Sequence, residues 1–505
     1  MIKAKSLLEP EPTITYDSLV QERLGQFGWY SVLVLFVAEA GITLVAGSVI
    51  SPSYHKLTPD WTCETEGYNR SSCDCTNRTY FTETGFYSLA WEFGLVCDYR
   101  YLNTMLGTLI MAGALFGAIG FGGLADRKGR KPAAMIAFAG VSVTTLAFSF
   151  CPNFIGCCIV MTIMGICSGG YMVVGISLIP EFVGRRYRLL VSCLHGWPFG
   201  LMLMGLVGYL TENWRRYHQA YAILSIPVLL LWSLLVESPR WLIRQNRLEE
   251  ALAAIRRIGK INRQKNCIVT LDDMEKLYEV ENVTALKRKQ YNYWDIFRFP
   301  TQRKNILILS LMWAVSAIVS WGIYSNITFF PGIVHLNFFF SGLAKALAGF
   351  FIPLGFELCA GRRPTILAGI LVCGISMWGI AIAYMLENLG ANRSIEYATT
   401  AFAIVGIAAM DPTWKINHLA ANELFPTVLR SMANGVCNIS ARIASVIAPN
   451  VAYLAELYAP GPYIIFGVLV GLQFIVALLY LPETKGKPLP DAVEKEDDSK
   501  SSDEA

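Results

Sequence analysis

Five ionisable side chains stand inside long apolar stretches of the sequence: Glu39, Lys345, Asp411, Lys415 and Arg442. A charged side chain in an apolar medium costs on the order of 3 kcal/mol unless it faces water or a partner. Each of the five is therefore a candidate for binding an ion or a polar solute. Arg442 is the most informative, because its guanidinium stays protonated and presents a planar fork that fits a carboxylate or a sulfonate.

The other four charges admit more than one interpretation. Asp411 and Lys415 are four residues apart, one helical turn, and could neutralise each other. Lys345 could extend to the end of its helix instead of lining a site. Glu39 could hold the ammonium group of a zwitterion, could carry a coupling proton or sodium ion, or could pair with Arg442 or Lys345 in the empty protein. The sequence leaves these alternatives open.

Aromatic and histidine side chains lie in the same apolar stretches. Tyr324 and Trp414 are predicted to pack against an organic group or a quaternary ammonium of the solute. Three scattered histidines, His195, His335 and His418, are predicted to be hydrogen-bonded helix residues rather than a proton relay.

The elements that hold these residues must lie in a membrane. Hydrophobic residues make up 54% of the 505-residue chain and charged residues 16%, against about 25% charged in soluble proteins. This composition, a mean hydropathy of +0.43 and a net charge of only +4 exclude a disordered or nucleic-acid-binding chain. The Gly-x4-Gly-Lys-Ser/Thr, His-Glu-x-x-His and Gly-x-Ser-x-Gly motifs do not occur. We therefore expect neither an ATP-driven pump nor an enzyme, and no cofactor or metal.

Crossing about 30 Å of hydrocarbon takes roughly 20 apolar residues in a helix. Twelve stretches of this length lie between charged clusters, which predicts an all-α membrane protein with twelve transmembrane helices in the lipid bilayer. The predicted spans cover residues 28–50, 104–125, 132–151, 154–179, 189–210, 217–236, 306–328, 336–358, 364–387, 396–421, 428–454 and 461–481.

Basic residues predict the orientation, because short loops rich in Lys and Arg stay on the cytoplasmic side. Residues 126–131, residues 185–188, residues 361–363 and Arg430 follow even-numbered spans, so both termini are predicted to be cytoplasmic. Arg215 and Arg216 fall on the outer side and depart from this pattern.

The first external loop, residues 51–103, is long, acidic and polar. Four cysteines on an oxidising face allow three disulfide pairings, among which the sequence does not choose. We predict a disulfide-bonded, glycosylated subdomain; the alternative is a loop with incidental thiols. The cysteines are Cys63, Cys73, Cys75 and Cys97, and the glycosylation sequons begin at Asn69 and Asn77.

Three features recur between 232 and 246 residues later in the chain. The pairs Gly129-Arg130 and Gly361-Arg362 are one example, and the glutamates Glu237 and Glu483 are another. Such a repeat predicts two matching bundles with a solute site between them. The predicted division is an N-terminus 1–27, a six-helix bundle 28–236 that includes loop 51–103, a cytoplasmic linker 237–305, a second bundle 306–481 and a cytoplasmic tail 482–505.

The segment GGLADRKGRK at residues 122–131 resembles the loop 2–3 signature of the major facilitator superfamily. Four further stretches resemble the organic cation, anion and zwitterion transporters of solute carrier family 22. These are ESPRWL at 237–242, NELFPTVLR at 422–430, LPETKG at 481–486 and WEFGLVC at 91–97.

The resemblance implies two six-helix halves, alternating access and a monomer. In the family that this chain resembles, the position equivalent to Arg442 is an aspartate in cation carriers and an arginine in anion and carnitine-type carriers. We therefore predict a secondary-active or facilitative transporter of a small organic anion or zwitterion in the plasma membrane, with H+ or Na+ as candidate coupling ions. The alternatives are an organic cation transporter that uses Glu39 and Asp411, or a non-transporting receptor or channel on the same scaffold.

The loop signature also predicts a gate. Asp126 could cap the N-terminus of a neighbouring helix and pair with arginines, which would hold one face of the protein closed. No aspartate stands three residues before Gly361, which puts symmetrical gating in doubt. The predicted gating residues are Asp126, Arg127, Arg130, the pair Glu181 and Arg188, and the pair Glu423 and Arg430.

Overall fold

Helices dominate the computed structural model, which describes residues 16–19, 24–63, 78–81, 85–264, 269–287, 292–359, 361–387, 394–426 and 428–485. Twelve long helices are named here in chain order. They are α1 Trp29–Ile50, α2 Leu102–Lys128, α3 Arg130–Phe148, α4 Phe154–Leu178, α5 Trp197–Thr211, α6 Trp214–Leu234, α7 Pro300–Asn326, α8 Val334–Cys359, α9 Arg362–Glu387, α10 Ser394–Glu423, α11 Arg430–Leu457 and α12 Gly461–Tyr480.

Shorter elements connect the long helices. Two strands in the first loop, β1 Asp60–Cys63 and β2 Arg78–Phe81, pair in antiparallel fashion. The α-helices outside the twelve are Tyr16–Leu19, Pro52–His55, Leu89–Glu92, Arg188–Cys193, Pro239–Arg244, Leu248–Ile261, Leu271–Lys287 and Tyr293–Arg298, and the 3-10 turns are Cys97–Tyr99, Ile179–Glu181, Arg185–Tyr187 and Ile327–Phe329.

Within the described residues, nine helices are long and apolar enough to cross a membrane, so the chain is an integral membrane protein. The long helices outside this set are α5, which has 15 residues, and α10 and α11, which carry charges of the predicted site. Helices that line a solute path carry polar residues and are therefore less apolar. The twelve predicted spans correspond to these twelve long helices, although the fifth begins at Trp197 and not at residue 189, and the predicted fold class is confirmed.

The two halves, α1–α6 and α7–α12, repeat one packing pattern. Helix α2 packs along α4 as α8 packs along α10, α3 along α6 as α9 along α12, and α1 along α5 as α7 along α11. Glycine allows a close approach of α2 and α4, since a Cβ at Gly117 would lie 1.8 Å from the carbonyl oxygen of Ile166. The fold is therefore the duplicated six-helix bundle that the sequence repeat predicted.

The halves meet along two seams, α2 against α11 and α5 against α8. Polar contacts cross between the halves at the end that carries the first loop. The Tyr54 hydroxyl lies 2.9 Å from Nδ1 of His335, and the Arg100 guanidinium lies 2.5 Å from the Glu456 carboxylate. These contacts hold the two halves together at that end.

Candidate functional site: buried charges between the helical halves

Arg442 lies where α11 of the second half faces α4 of the first. Its two terminal nitrogens are each 3.8 Å from the sulfur of Met172 in α4, and its Nε is 3.4 Å from Oδ1 of Asn438. Among the residues that the structure describes, no carboxylate lies within 4 Å of this guanidinium. A thioether sulfur is a weak acceptor and neutralises no charge. Arg442 thus presents an unmatched positive charge at the boundary between the halves.

Three other predicted site residues form one buried ionic cluster. Oδ1 of Asp411 lies 2.9 Å from Nζ of Lys345, and Oδ2 lies 2.8 Å from Nζ of Lys415. Lys345 and Asp411 are each only 3% exposed. The predicted pairing of Asp411 with Lys415 is therefore present, but Lys345 joins it and does not extend to a helix end. With all three groups ionised, the cluster keeps one excess positive charge.

Glycine at position 349 makes room for this cluster. A Cβ there would lie 1.8 Å from Oδ2 of Asp411, and the Gly349 carbonyl accepts a hydrogen bond from Nζ of Lys415 at 2.7 Å. Sequence reasoning missed Gly349 because a glycine in an apolar stretch carries no signal of the charge on the facing helix.

Glu39 pairs with neither Arg442 nor Lys345. Its Oε2 accepts a hydrogen bond from the Gly196 backbone N–H at 2.6 Å and lies 3.2 Å from Nδ1 of His195. The structure therefore contradicts the alternative in which Glu39 forms a salt bridge to Arg442 or Lys345. His195 is also not a helix residue, since it lies between the short helix Arg188–Cys193 and α5.

The fifth predicted span, 189–210, is interrupted at residues 194–196. A helix end leaves backbone groups without helical partners, and inside a membrane those groups need other partners. Lys415 donates a hydrogen bond to the Cys193 carbonyl at 3.0 Å, and Glu39 accepts one from Gly196. The interruption is therefore held by charged side chains from α10 and α1. Gly196 and Pro198 are the residues in the sequence that indicate this interruption, and the prediction of one continuous span did not take them into account.

Aromatic rings line the space between α5, α7, α8 and α10. The centre of the Tyr324 ring lies 5.8 Å from Nζ of Lys345, and the Trp414 indole donates a hydrogen bond to Oγ of Ser320 at 3.1 Å. Trp321 connects this group to α5, because its ring packs edge-on against both Tyr324 and Trp197. Tyr324 and Trp414, the two predicted aromatic residues, thus both lie beside polar partners.

The cap at the start of α3 is made by Glu237, not by Asp126 as predicted. The Glu237 carboxylate accepts hydrogen bonds from the backbone N–H groups of Arg130 and Lys131, both at 3.1 Å. Asp126 has a side chain that is 68% exposed and pairs with Arg130 at 3.0 Å. The carboxylate that follows α6 therefore caps the N-terminus of α3, where negative charge is favoured.

The second half contains the same cap. Glu483 accepts hydrogen bonds from the backbone N–H groups of Arg362 at 3.1 Å and Arg363 at 3.0 Å. Burial alone raises the pKa of the Glu483 carboxyl, but hydrogen bonds from four backbone N–H groups outweigh it and hold the pKa below its usual range. The doubt about symmetry that arose from the missing aspartate therefore does not apply to these caps.

Glycines before α3 and α9 allow both glutamates to approach. Gly129 has a φ of 111° and Gly361 a φ of 95°, a backbone region that favours glycine. A Cβ would lie 2.2 Å from Oε2 of Glu237 at Gly129 and 3.0 Å from Oε2 of Glu483 at Gly361. The recurring Gly-Arg pair in the sequence thus has a structural reason in both halves.

Arginine side chains at the same end pair with acids in both halves. Nε of Arg130 lies 3.8 Å from Glu181, and Arg362 pairs with Glu423. Of the remaining predicted gating residues, Arg127 is exposed in the last turn of α2, Arg188 begins the short helix Arg188–Cys193, and Arg430 begins α11.

The first loop packs on α6 through Glu92. Its carboxylate accepts hydrogen bonds from the Trp214 indole at 2.9 Å and from Nε of Arg215 at 3.1 Å, which explains one of the two basic residues that depart from the charge pattern. Cys97 is disulfide-bonded, and Cys63 ends β1. Cys73, Cys75, Asn69 and Asn77 lie outside the described residues.

Comparisons with known proteins identify a family by sequence and a fold by structure. A family model described as "Sugar (and other) transporter" matches residues 67–494. Solute carrier family 22 member 3 of Mus musculus is 30% identical over 84% of this chain and 75% of its own length, and member 2 of Mus musculus is 29% identical over 81% and 71%. An inward-open structure of the xylose transporter XylE from E. coli shares the fold with a TM-score of 0.68 at 17% identity, covering 90% of this chain and 98% of that one.

Proposed function

Because the chain belongs to the sugar (and other) transporter family, and within the major facilitator superfamily to solute carrier family 22, we propose that it carries a small organic anion or zwitterion across the membrane by alternating access. Transport is secondary-active or facilitative. The family assignment indicates a small-molecule transporter in a lipid bilayer. The proposal adds the class of substrate and the residues that bind it.

The unmatched charge of Arg442 carries this proposal. In the described part of the chain, the other buried charges of the candidate site have partners: Lys345 and Lys415 share Asp411, and Glu39 binds His195 and Gly196. A solute with a carboxylate or sulfonate group would supply the partner that Arg442 lacks, through two parallel charge-assisted hydrogen bonds.

An organic cation would fit this site less well than an anion. A cation carrier needs a carboxylate that is free to pair with the substrate, but Asp411 lies between two ammonium groups and Glu39 is held by His195 and a backbone N–H group. The ionic cluster adds a further positive charge near the Tyr324 ring. The charges of the described residues therefore favour an anion, or a zwitterion bound by its negative end.

Alternating access follows from the position of Arg442 between the halves. The contacts of Tyr54 with His335 and of Arg100 with Glu456 close the end that carries the first loop. The positive charge pattern supports an orientation with this end outside the cell and both termini in the cytoplasm, in a protein that we propose lies in the plasma membrane. At the opposite end, the glutamate caps and the arginine pairs lie within each half and stabilise the inner ends of its helices.

Uptake by cells that express the full chain tests the proposal with a panel of labelled anions, cations and zwitterions of similar size. We expect anions or zwitterions to be taken up, and Arg442→Ala to lower their kcat/KM by about 100-fold, since it removes two charge-assisted hydrogen bonds. Arg442→Lys keeps the charge without the fork and should retain part of the uptake. The matched control is Arg216→Ala at an exposed position, with surface expression measured for each variant. Normal anion uptake by Arg442→Ala at normal expression, or uptake of cations alone by the wild type, would overturn the proposal.

A further inference from the structure

The interruption of the fifth span is held from both halves of the protein. Glu39 of α1, in the same half, binds the Gly196 N–H group and the His195 ring, while Lys415 of α10, in the other half, binds the Cys193 carbonyl. Non-helical backbone inside a membrane occurs where it lines a cavity or is buried in protein. In other transporters such interruptions mark the places where substrate and coupling ions bind.

We propose that Glu39 and His195 form a proton-binding site that couples proton movement to the transport of the anion bound at Arg442. The proposal rests on the proposed function and names the coupling ion. Histidine is the side chain whose charge ordinarily changes between pH 5 and pH 8, and a carboxylate beside it stabilises its charged form. The side chains of His195 and Glu39 are 28% and 14% exposed, so the pair is not fully enclosed by the protein.

The geometry indicates where the proton binds. Nδ1 of His195 faces Oε2 of Glu39 at 3.2 Å, and that hydrogen bond requires a hydrogen on Nδ1 because the carboxylate only accepts. The exchangeable proton therefore comes from water to Nε2 and returns from Nε2 to water on the other side of the membrane. No covalent bond other than this N–H bond forms or breaks.

Other titratable or charged groups face the pair from three neighbouring helices. Tyr171 of α4 lies near Glu39 and donates its hydroxyl hydrogen to the Ala38 carbonyl at 3.0 Å. His418 of α10 lies within electrostatic range of both His195 and Arg442 of α11. Lys415 of α10 also lies close, with Nζ 3.0 Å from the Cys193 carbonyl, but it shares the Asp411 carboxylate, whereas Arg442 has no carboxylate within 4 Å among the described residues. The positive charge of Arg442 therefore opposes a proton on His195.

Binding of an anion at Arg442 removes this repulsion. An anion and a proton therefore favour each other's binding, and by thermodynamic linkage each raises the affinity for the other by the same factor. A carrier with this property moves the anion and the proton in the same direction.

The site connects to the movement of the halves through α5. Gly205 of α5 packs against the backbone of His335, and Gly342 of α8 against the backbone of Pro198, so the two helices lie in close contact across the boundary between the halves. A protonated His195 forms an ion pair with Glu39 and keeps the start of α5 attached to α1. Loss of the proton leaves a hydrogen bond from a neutral imidazole to the carboxylate, which holds the start of α5 less firmly and allows α5 to move against α8.

The test uses the full chain reconstituted in liposomes and labelled benzenesulfonate, which stays an anion across the pH range and does not cross as a neutral acid. We expect the wild type to accumulate it up an inward proton gradient, with about tenfold greater accumulation for each pH unit if one proton accompanies one anion. His195→Gln, which cannot take up a proton, and His195→Arg, which cannot release one, should each abolish the dependence on the gradient. Glu39→Gln keeps an acceptor for Gly196 and should weaken the dependence.

A second measurement does not depend on the substrate. Hydrogen–deuterium exchange of residues 193–197, normalised to the exchange of an unprotected peptide at each pH, should differ between mildly acidic and mildly alkaline buffer in the wild type and not in His195→Gln. Uptake of benzenesulfonate that does not depend on the proton gradient would overturn this inference without contradicting the proposed function. If the wild type takes up no anion, the proposed function fails, and exchange that does not vary with pH would then overturn the proton site as well.

Discussion

Replacement of Asp411 by asparagine is expected to destabilise the protein strongly. The Asp411 carboxylate lies 2.9 Å from Nζ of Lys345 and 2.8 Å from Nζ of Lys415, in a buried site. Asparagine keeps the shape of the side chain but leaves two ammonium groups without a counterion. Loss of one partner from a buried ion pair costs about 3–5 kcal/mol, so we expect the free energy of unfolding to fall by about that amount.

Thermal unfolding of the purified full chain in detergent measures this effect. The matched rescue is Lys345→Met added to Asp411→Asn, because the remaining Lys415 donates hydrogen bonds to the carbonyls of Cys193 and Gly349. The double variant should recover a large part of the lost stability. A single variant as stable as the wild type, or a double variant no more stable than the single one, would refute the view that the three charges form one neutralising cluster.

Two further changes test the packing and the caps. Gly117→Ala should lower stability by about 1–3 kcal/mol, because its Cβ would overlap the Ile166 carbonyl, whereas Gly120→Ala faces open space and should have little effect; thermal unfolding of both variants checks this, and equal stabilities would contradict it. Because the pKa of Glu483 lies below its usual range in the folded protein, its ionised form stabilises the fold above the ordinary carboxyl pKa, and this contribution is lost as the pH falls through the lower folded-state pKa. The stability of the wild type should therefore fall more between about pH 6 and about pH 3 than that of Glu483→Gln, and parallel pH profiles would exclude this role for the cap.

The spans were predictable because the membrane imposes a length and an apolar composition on each helix. Helix α1, predicted at 28–50, is found at Trp29–Ile50, and α12, predicted at 461–481, is found at Gly461–Tyr480. The charges of the site were predictable for the same reason, since Arg442 and Asp411 stand out in apolar surroundings.

The partners of these charges were not predictable, because they depend on which helices pack together. Glu237 and Asp126 each lie within a few residues of basic side chains. The sequence therefore does not reveal which of the two carboxylates reaches the N-terminus of α3. Similarly, Gly196 and Pro198 indicate an interruption of the helix, but the sequence does not show that Glu39 binds the Gly196 backbone and His195 there. Interactions between distant segments thus account for most of what the sequence left open.

A density map of the full chain with a bound aromatic sulfonate tests the central claim most directly. The proposed site predicts sulfonate oxygens within about 3 Å of the terminal nitrogens of Arg442, between α4 and α11, with the aromatic ring directed toward Tyr324 or Trp414. Sulfonate density at the Lys345–Asp411–Lys415 cluster instead, or a guanidinium that still contacts only Met172 and Asn438 in the loaded protein, would contradict it.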